Sequence, residues 1–154
     1  MVNSFSALGY QATELSEAAE VILKMKQNKA KIFLTFTSNM TTSGLRGFFS
    51  QLCRLKILDI LVTTSGSIEE DIMRSTGESF QISSFNADDT SLHEKGENRV
   101  GNLIIKVESY MKFEDIIHEY LEKIYKKQKR ISSSELLKEI GLMLDDKSSI
   151  LYQA

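Results

Sequence analysis

Two stretches carry the side chains whose types and spacing could do chemistry. "TTSGSIEED", residues 63 to 71, follows an apolar run and sets three acids side by side, Glu69, Glu70 and Asp71. "TSNMTTSG", residues 37 to 44, follows another and offers Thr37, Ser38, Asn39, Thr41, Thr42 and Ser43. Hydroxyls, an amide and the free N–H groups of a starting helix suit ribose or phosphate oxygens. The same hydroxyls also serve as ordinary helix caps. The acids divide in the same way. A carboxylate at such a turn can hold a cationic or hydroxylated ligand. Ser67 and Glu70 equally have the spacing of a capping box, and acids in a first helical turn complement its dipole.

Both stretches fall where an α/β fold places a site. "KIFLTFTSN" and "ILDILVTTS" are short, continuous apolar runs, the pattern of strands buried in a parallel sheet. Between them, "SGLRGFFSQLCRLK" has helical spacing, with Leu45, Phe48, Phe49 and Leu52 on one stripe. Strand, helix and strand in close succession predict a βαβ unit with parallel strands. Ligands of open parallel sheets bind outside the carboxyl ends of the strands, at these two polar turns. The dinucleotide fingerprint G-x-G-x-x-G is absent from both.

The remaining elements are read from the same periodicities. Thr13 is the predicted N-cap of a helix reaching Gln27, with Leu15, Ala18, Ala19, Ile22 and Met25 on its apolar side. "SIEEDIMRST" starts a helix after the second strand, and residues 77 to 98 form a polar, irregular excursion with one short strand or helix. "NLIIKV" is a third strand candidate, "FEDIIHEYLEKIYKKQKR" a long amphipathic helix, and "SSSELLKEIGLML" a helix opened by a capping box from Ser132 to Glu135. "DDKSSILYQA" begins another element at Ser148 or Ser149 that stops after roughly a turn and a half. Three strands would leave an apolar sheet edge open, so an incomplete fold is expected.

Bulk properties narrow the function. The chain has 154 residues, room for one domain or a piece of a larger one. A net charge of −2 with interspersed signs gives no field for nucleic acid or a membrane surface, and neither is expected as a partner. One cysteine, Cys53, and no basic-then-apolar leader point to a cytoplasmic protein. His93 and His118 have no ligand-spaced neighbours, so no metal is expected. His118 is predicted to pack beside the apolar stripe, Cys53 to be a core thiol, and Arg46 to be solvated.

Six blocks then carry a resemblance: "GYQAT" (9 to 13), "TSNMTTSGLR" (37 to 46), "ILVTTSGSIEEDIM" (60 to 73), "NRVGNL" (98 to 103), "KFED" (112 to 115) and "SSILYQA" (148 to 154). Together, and in this order, they resemble the N-terminal half of the deoxyhypusine synthase family. The resemblance implies a Rossmann-like α/β fold with a parallel sheet and flanking helices, here half of a doubly wound domain, so that residues 1–154 form the N-terminal half of an NAD-binding domain. It also implies a tetramer-like assembly. Such enzymes use NAD to oxidise spermidine, pass the aminobutyl group through a lysine imine, and deliver it to a lysine of the translation initiation factor 5A precursor. By the same resemblance, Ser38, Asn39, Met40, Thr41 and Thr42 match a first NAD-contacting turn, and Thr64, Ser65 and Gly66 match a second. Glu69 and Glu70 match an acidic pair that meets spermidine, with Glu70 also close to NAD.

Two mild departures are the missing proline before "KFED" and Ser65 in place of the common alanine. The family's catalytic lysine has no match in the 154 residues, so no catalytic residue is expected among them. The resemblance therefore implies one part of a split synthase, completed by a C-terminal-half chain and inactive alone. The alternative is a non-catalytic regulatory or structural subunit that pairs with a full-length synthase.

Overall fold

The computed structural model describes residues 2–154. After a 3-10 segment at Val2–Ala7 come α1 (Gln11–Gln27), β1 (Phe33–Phe36), α2 (Ser38–Met40), a wide helical turn at Thr41–Leu45, α3 (Arg46–Arg54), β2 (Ile60–Thr63) and α4 (Ser65–Ser75). These are followed by β3 (Gln81–Ile82), α5 (Asp89–Glu94), β4 (Glu97–Val100), β5 (Leu103–Lys106), α6 (Val107–Lys127), α7 (Ser133–Gly141) and α8 (Ile150–Gln153). β1 and β2 form a two-stranded sheet, and it is parallel because α2 and α3 carry the chain back between them. This is the expected α/β arrangement of a small parallel sheet with flanking helices.

The third strand went elsewhere. "NLIIKV" supplies β5, the centre of a separate antiparallel sheet ordered β3-β5-β4, in register Arg99↔Ile104 and Gln81↔Ile104. An apolar run specifies a buried strand but not its partner. Residues 77 to 98, expected to carry one short strand or helix, contribute both a strand and a helix, β3 and α5, and the start of β4. Asp88 caps α5 by accepting from the Thr90 and Ser91 N–H groups. β5 is well buried, with Ile105 fully enclosed and Ile104 nearly so.

The chain divides into two compact units. The first comprises residues 1–34 and 58–61. In it, Asp59 accepts from Lys31 Nζ at 2.7 Å and from the Ile32 N–H at 2.9 Å. α1 starts two residues before the expected cap: Tyr10 precedes it at φ 57°, and the Thr13 hydroxyl donates to the Leu8 carbonyl from inside the helix. Its predicted apolar stripe is largely exposed, Leu15 and Ile22 by about half.

The second unit comprises residues 35–57 and 62–154 and holds the main core. Ile72 of α4, Ile124 of α6, Ile140 of α7 and Leu144 form its buried centre, joined by Phe113, Ile116, Ile117 and Tyr120. Of the expected α6 stripe, Phe113, Ile116, Ile117, Tyr120 and Ile124 join this core and Leu121 is left exposed, and α6 itself starts six residues before "FEDII". The Phe36 ring stacks on Phe49, with centroids 3.8 Å apart. α7 opens with the predicted capping box, and Ser149 caps α8 by accepting from the Tyr152 N–H at 3.0 Å.

Gly141 ends α7 directly against α8. A Cβ there would lie 2.7 Å from the Leu151 carbonyl oxygen, closer than packed atoms can stand. Gly141→Ala is therefore expected to push α8 outward and to destabilise the unit by roughly 1–3 kcal/mol. A chemical denaturation curve checks this, and an unchanged midpoint would show that α8 shifts without strain.

Candidate functional site

Thr37 and Thr64 hold equivalent places. Each is an extended residue that follows a strand and precedes a helical segment, with ψ 164° and 159°. The Ser38 N–H donates to Thr64 Oγ1 at 3.0 Å, tying one turn to the other. Gly66 makes the close approach feasible, because a Cβ at that position would stand 3.0 Å from the Ser38 Cβ. Thr35, Phe36, Thr37, Met40, Val62, Thr63 and Thr64 line an open groove of about 490 Å³ at the carboxyl ends of β1 and β2. Threonine hydroxyls border it, and its surface is mostly apolar, with Phe36, Met40 and Val62 contributing.

Beneath this groove the hydroxyls face α4. Thr41 and Thr42 are buried. Thr41 Oγ1 lies 3.3 Å from Ser67 Oγ, and Thr63 Oγ1 lies 2.7 Å from the same atom and 2.9 Å from the Phe36 carbonyl oxygen. Ser67 is thus the third residue of α4 rather than its cap, since Thr64 takes the cap position. The expected Ser67–Glu70 capping box does not form. Glu69, Glu70 and Asp71 lie beyond the first turn of α4, too far along to cap its N-terminus.

The three adjacent acids have three different surroundings. Asp71 is fully buried and saturated. It accepts from Arg46 Nε at 2.6 Å, Ser149 Oγ at 2.8 Å, and the Leu151 and Ile150 N–H groups at 2.9 and 3.1 Å. Arg46 also donates to Asp146 at 2.6 Å and Ser75 Oγ at 2.8 Å. Its side chain is 13% exposed, so the expected solvated arginine is a buried clamp joining α3, α4 and the segment before α8.

Glu70 is 6% exposed, and both its carboxylate oxygens meet Thr42 Oγ1, at 2.6 and 2.7 Å. Among the described residues, no cationic side chain lies within ion-pair distance of Glu69 or Glu70. Burial pushes the Glu70 carboxyl above the usual carboxylate range; the Thr42 hydrogen bond opposes the rise and the Glu69 charge adds to it. Half-buried Glu69 is raised by burial as well. Burial raises the Tyr110 phenol of α6, and the charges of Glu69 and Glu70 raise it further. The acid pair is thus a dry, negative spot that an incoming cation would relieve.

The structure brings Ser38, Thr64, Gly66, Thr41, Thr42 and Glu70 into one connected cluster. Met40 sits on the groove wall. Asn39 is exposed and its side-chain oxygen accepts from the Thr37 hydroxyl, while Ser65 is exposed at the first position of α4. Sequence reasoning missed Thr63 and Ser67 as the hydroxyl bridge, because a serine or threonine reveals its partner only once the fold is known. A second open groove, about 570 Å³, lies between α6 and α7 and is lined by His118, Leu121, Tyr125 and Leu136 among others. None of the site residues borders it. His118 is exposed there rather than packed, and Cys53 is half-buried, its thiol pushed up by burial and by the Asp71 charge. Among the described residues, no cluster of His, Cys, Asp and Glu is arranged to hold a metal, and no helix is long and apolar enough to cross a membrane.

Residues 1–154 match the sequence profile of deoxyhypusine synthase from end to end. The chain belongs to the deoxyhypusine synthase family. It is 34% identical over 154 residues to a protein assigned as a deoxyhypusine synthase in Halobacterium salinarum, covering all of this chain and 46% of that one. Its identity to a Schizosaccharomyces pombe protein of the same assignment is 35% over 169 residues, covering 48% of that protein. A crystal structure assigned as a deoxyhypusine synthase from Entamoeba histolytica superposes with a TM-score of 0.68 at 28% identity, over 99% of this chain and 55% of that one. The chain spans about half the length of the relatives it matches, and its fold corresponds to part of the Rossmann-like domain of this transferase family.

Proposed function

We propose that these 154 residues form the N-terminal half of a deoxyhypusine synthase active site, supplying NAD- and spermidine-binding groups to a cytoplasmic aminobutyl transferase. The observation that carries this reading is Glu70, a buried carboxylate held by one hydroxyl and facing no cation, while neighbouring Asp71 has its arginine. A di- or triamine supplies the ammonium that such a site lacks. Glu69, half-buried beside it, serves the same ligand.

The turns at 37–42 and 64–66 suit part of a dinucleotide. Their hydroxyls and the free N–H groups at the start of α4 offer donors to ribose and phosphate oxygens, and Gly66 keeps the two turns close enough to act together. Ser38, Asn39, Met40, Thr41 and Thr42 on one side, and Thr64, Ser65, Gly66 and Glu70 on the other, would hold it. Bound NAD supplies the hydride acceptor for oxidation of spermidine. The role of the acids is to fix the amine's ammonium groups, orienting the carbon chain and excluding water around it.

The lysine that carries the aminobutyl group, and the rest of the polyamine pocket, belong to the half of the family's length outside these residues. In this reading they arrive on a complementary chain in a hetero-oligomer, and the acceptor is the translation initiation factor 5A precursor. The test is co-expression with a polypeptide carrying that second half, followed by an assay for spermidine-dependent NADH formation. Turnover is expected from the pair alone. Robust turnover by these 154 residues unaided would overturn the shared-site reading. A pair that forms without turnover, together with altered activity of a full-length synthase, would favour a regulatory subunit.

A further inference from the structure

The Thr42 hydroxyl has one proton and three acceptors within reach. Glu70 Oε1 and Oε2 lie at 2.6 and 2.7 Å, and the Ser38 carbonyl oxygen lies at 3.0 Å. Ser38 is in turn held through its N–H by Thr64. We propose that Thr42 is a positioning residue that keeps Glu70 ionised and aimed, and that turns its hydroxyl to donate a hydrogen bond to the Ser38 carbonyl whenever Glu70 becomes neutral. The proposal deepens the amine-binding reading above and rests on it for its functional meaning.

The geometry defines two states. With Glu70 ionised, the charged oxygens are both nearer and stronger acceptors, so the hydroxyl donates to them. With Glu70 protonated, the carboxyl O–H donates to Thr42 Oγ1, and the threonine hydroxyl is free to donate to the Ser38 carbonyl. One proton enters the carboxyl and one O–H changes acceptor; no other bond is made or broken. Among the other titratable groups beside this carboxyl, one opposes its charge. Glu69 on the same helix repels it, and Tyr110 of α6 shares the field of the acid pair and has its own ionisation suppressed by it. Thr42 is therefore the group from the first turn that favours the ionised form. The residue assigned to the cofactor turn thereby sets the charge available to the amine.

Carbon-13 NMR of the chain labelled at glutamate carboxyls reads this directly, with Glu70→Gln identifying the resonance. Thr42→Val keeps the shape and removes the hydroxyl, and it is expected to raise the Glu70 titration midpoint by about one to two pH units. Thr42→Ser should titrate like the parent. Thr42→Ala serves the same purpose as Thr42→Val if the valine variant fails to fold. An unshifted midpoint in a folded Thr42→Val or Thr42→Ala chain overturns the proposal, as does a serine variant that behaves like valine. Added spermidine is expected to lower the midpoint in the parent. A Thr42-dependent midpoint that ignores spermidine, in the reconstituted pair as well, would sink the amine-binding reading instead.

Discussion

Asp71→Ala is expected to unfold the junction that organises the C-terminal third of the chain. The substitution deletes four acceptor contacts at once: Arg46, the Ser149 hydroxyl, and the backbone N–H groups of Ile150 and Leu151. It also leaves the Arg46 guanidinium, at 13% exposure, with only Asp146 as a charged partner. Removing one member of a buried pair costs about 3–5 kcal/mol, because the remaining charge stays desolvated. That is a large share of the roughly 5–15 kcal/mol that holds a typical domain together. For a chain of this size the melting temperature should fall by on the order of 10 °C. Asp146→Ala should cost less, since its carboxylate is partly solvated and Arg46 keeps Asp71. Asp71→Asn, which keeps the shape but not the charge, should fall between them. A melting curve for Asp71→Ala that overlays the parent would mean that α8 and Arg46 contribute nothing to the fold.

The same network shows where sequence reasoning stops. The segments that were legible depend on neighbours within one turn: the Ser132–Glu135 box, an element starting at Ser148 or Ser149, and the amphipathic pattern of α6. The Arg46–Asp71–Asp146 clamp joins residues 25 and 100 positions apart, and nothing in local spacing marks an arginine as paired over such a distance. Strand pairing is equally silent. "NLIIKV" has the composition of a central parallel strand, yet its partners are β3 and β4, which the polar stretch before it concealed. The Ser67–Glu70 spacing fits a capping box, but β2 runs on to Thr63 and Thr64 takes the N-cap position at once, so Ser67 falls inside the helix. Shifting the helix start by three residues is enough to turn the acids from the helix end toward its side.

Glu70→Gln is expected to separate ligand binding from folding. The change keeps the size of the side chain and an oxygen for the Thr42 hydroxyl, while removing the charge proposed to hold the amine. Losing one partner of a desolvated charge pair costs about 2–5 kcal/mol of binding, so the spermidine kcat/KM of the reconstituted enzyme should fall roughly 30- to 4,000-fold. Glu69→Gln should fall less, since that carboxylate is only half-buried. Stability should move the other way. A carboxyl raised above its unfolded range by burial stabilises the fold below the ordinary carboxylate pKa, and that contribution is lost as pH rises through the raised value. Above that raised value the parent carries an ionised acid with a hydroxyl but no cation beside it, at a penalty that glutamine removes. Glu70→Gln should melt no lower than the parent near pH 7, and spermidine should raise the melting temperature of the parent pair but not of the variant pair. A variant that keeps its Michaelis constant, or that loses as much stability as Asp71→Asn, would make Glu70 a structural acid like its neighbour. The contrast between the two acids is the decisive comparison: two adjacent buried carboxylates, one with its cation inside the fold and one whose cation, in the proposed reading, is the amine.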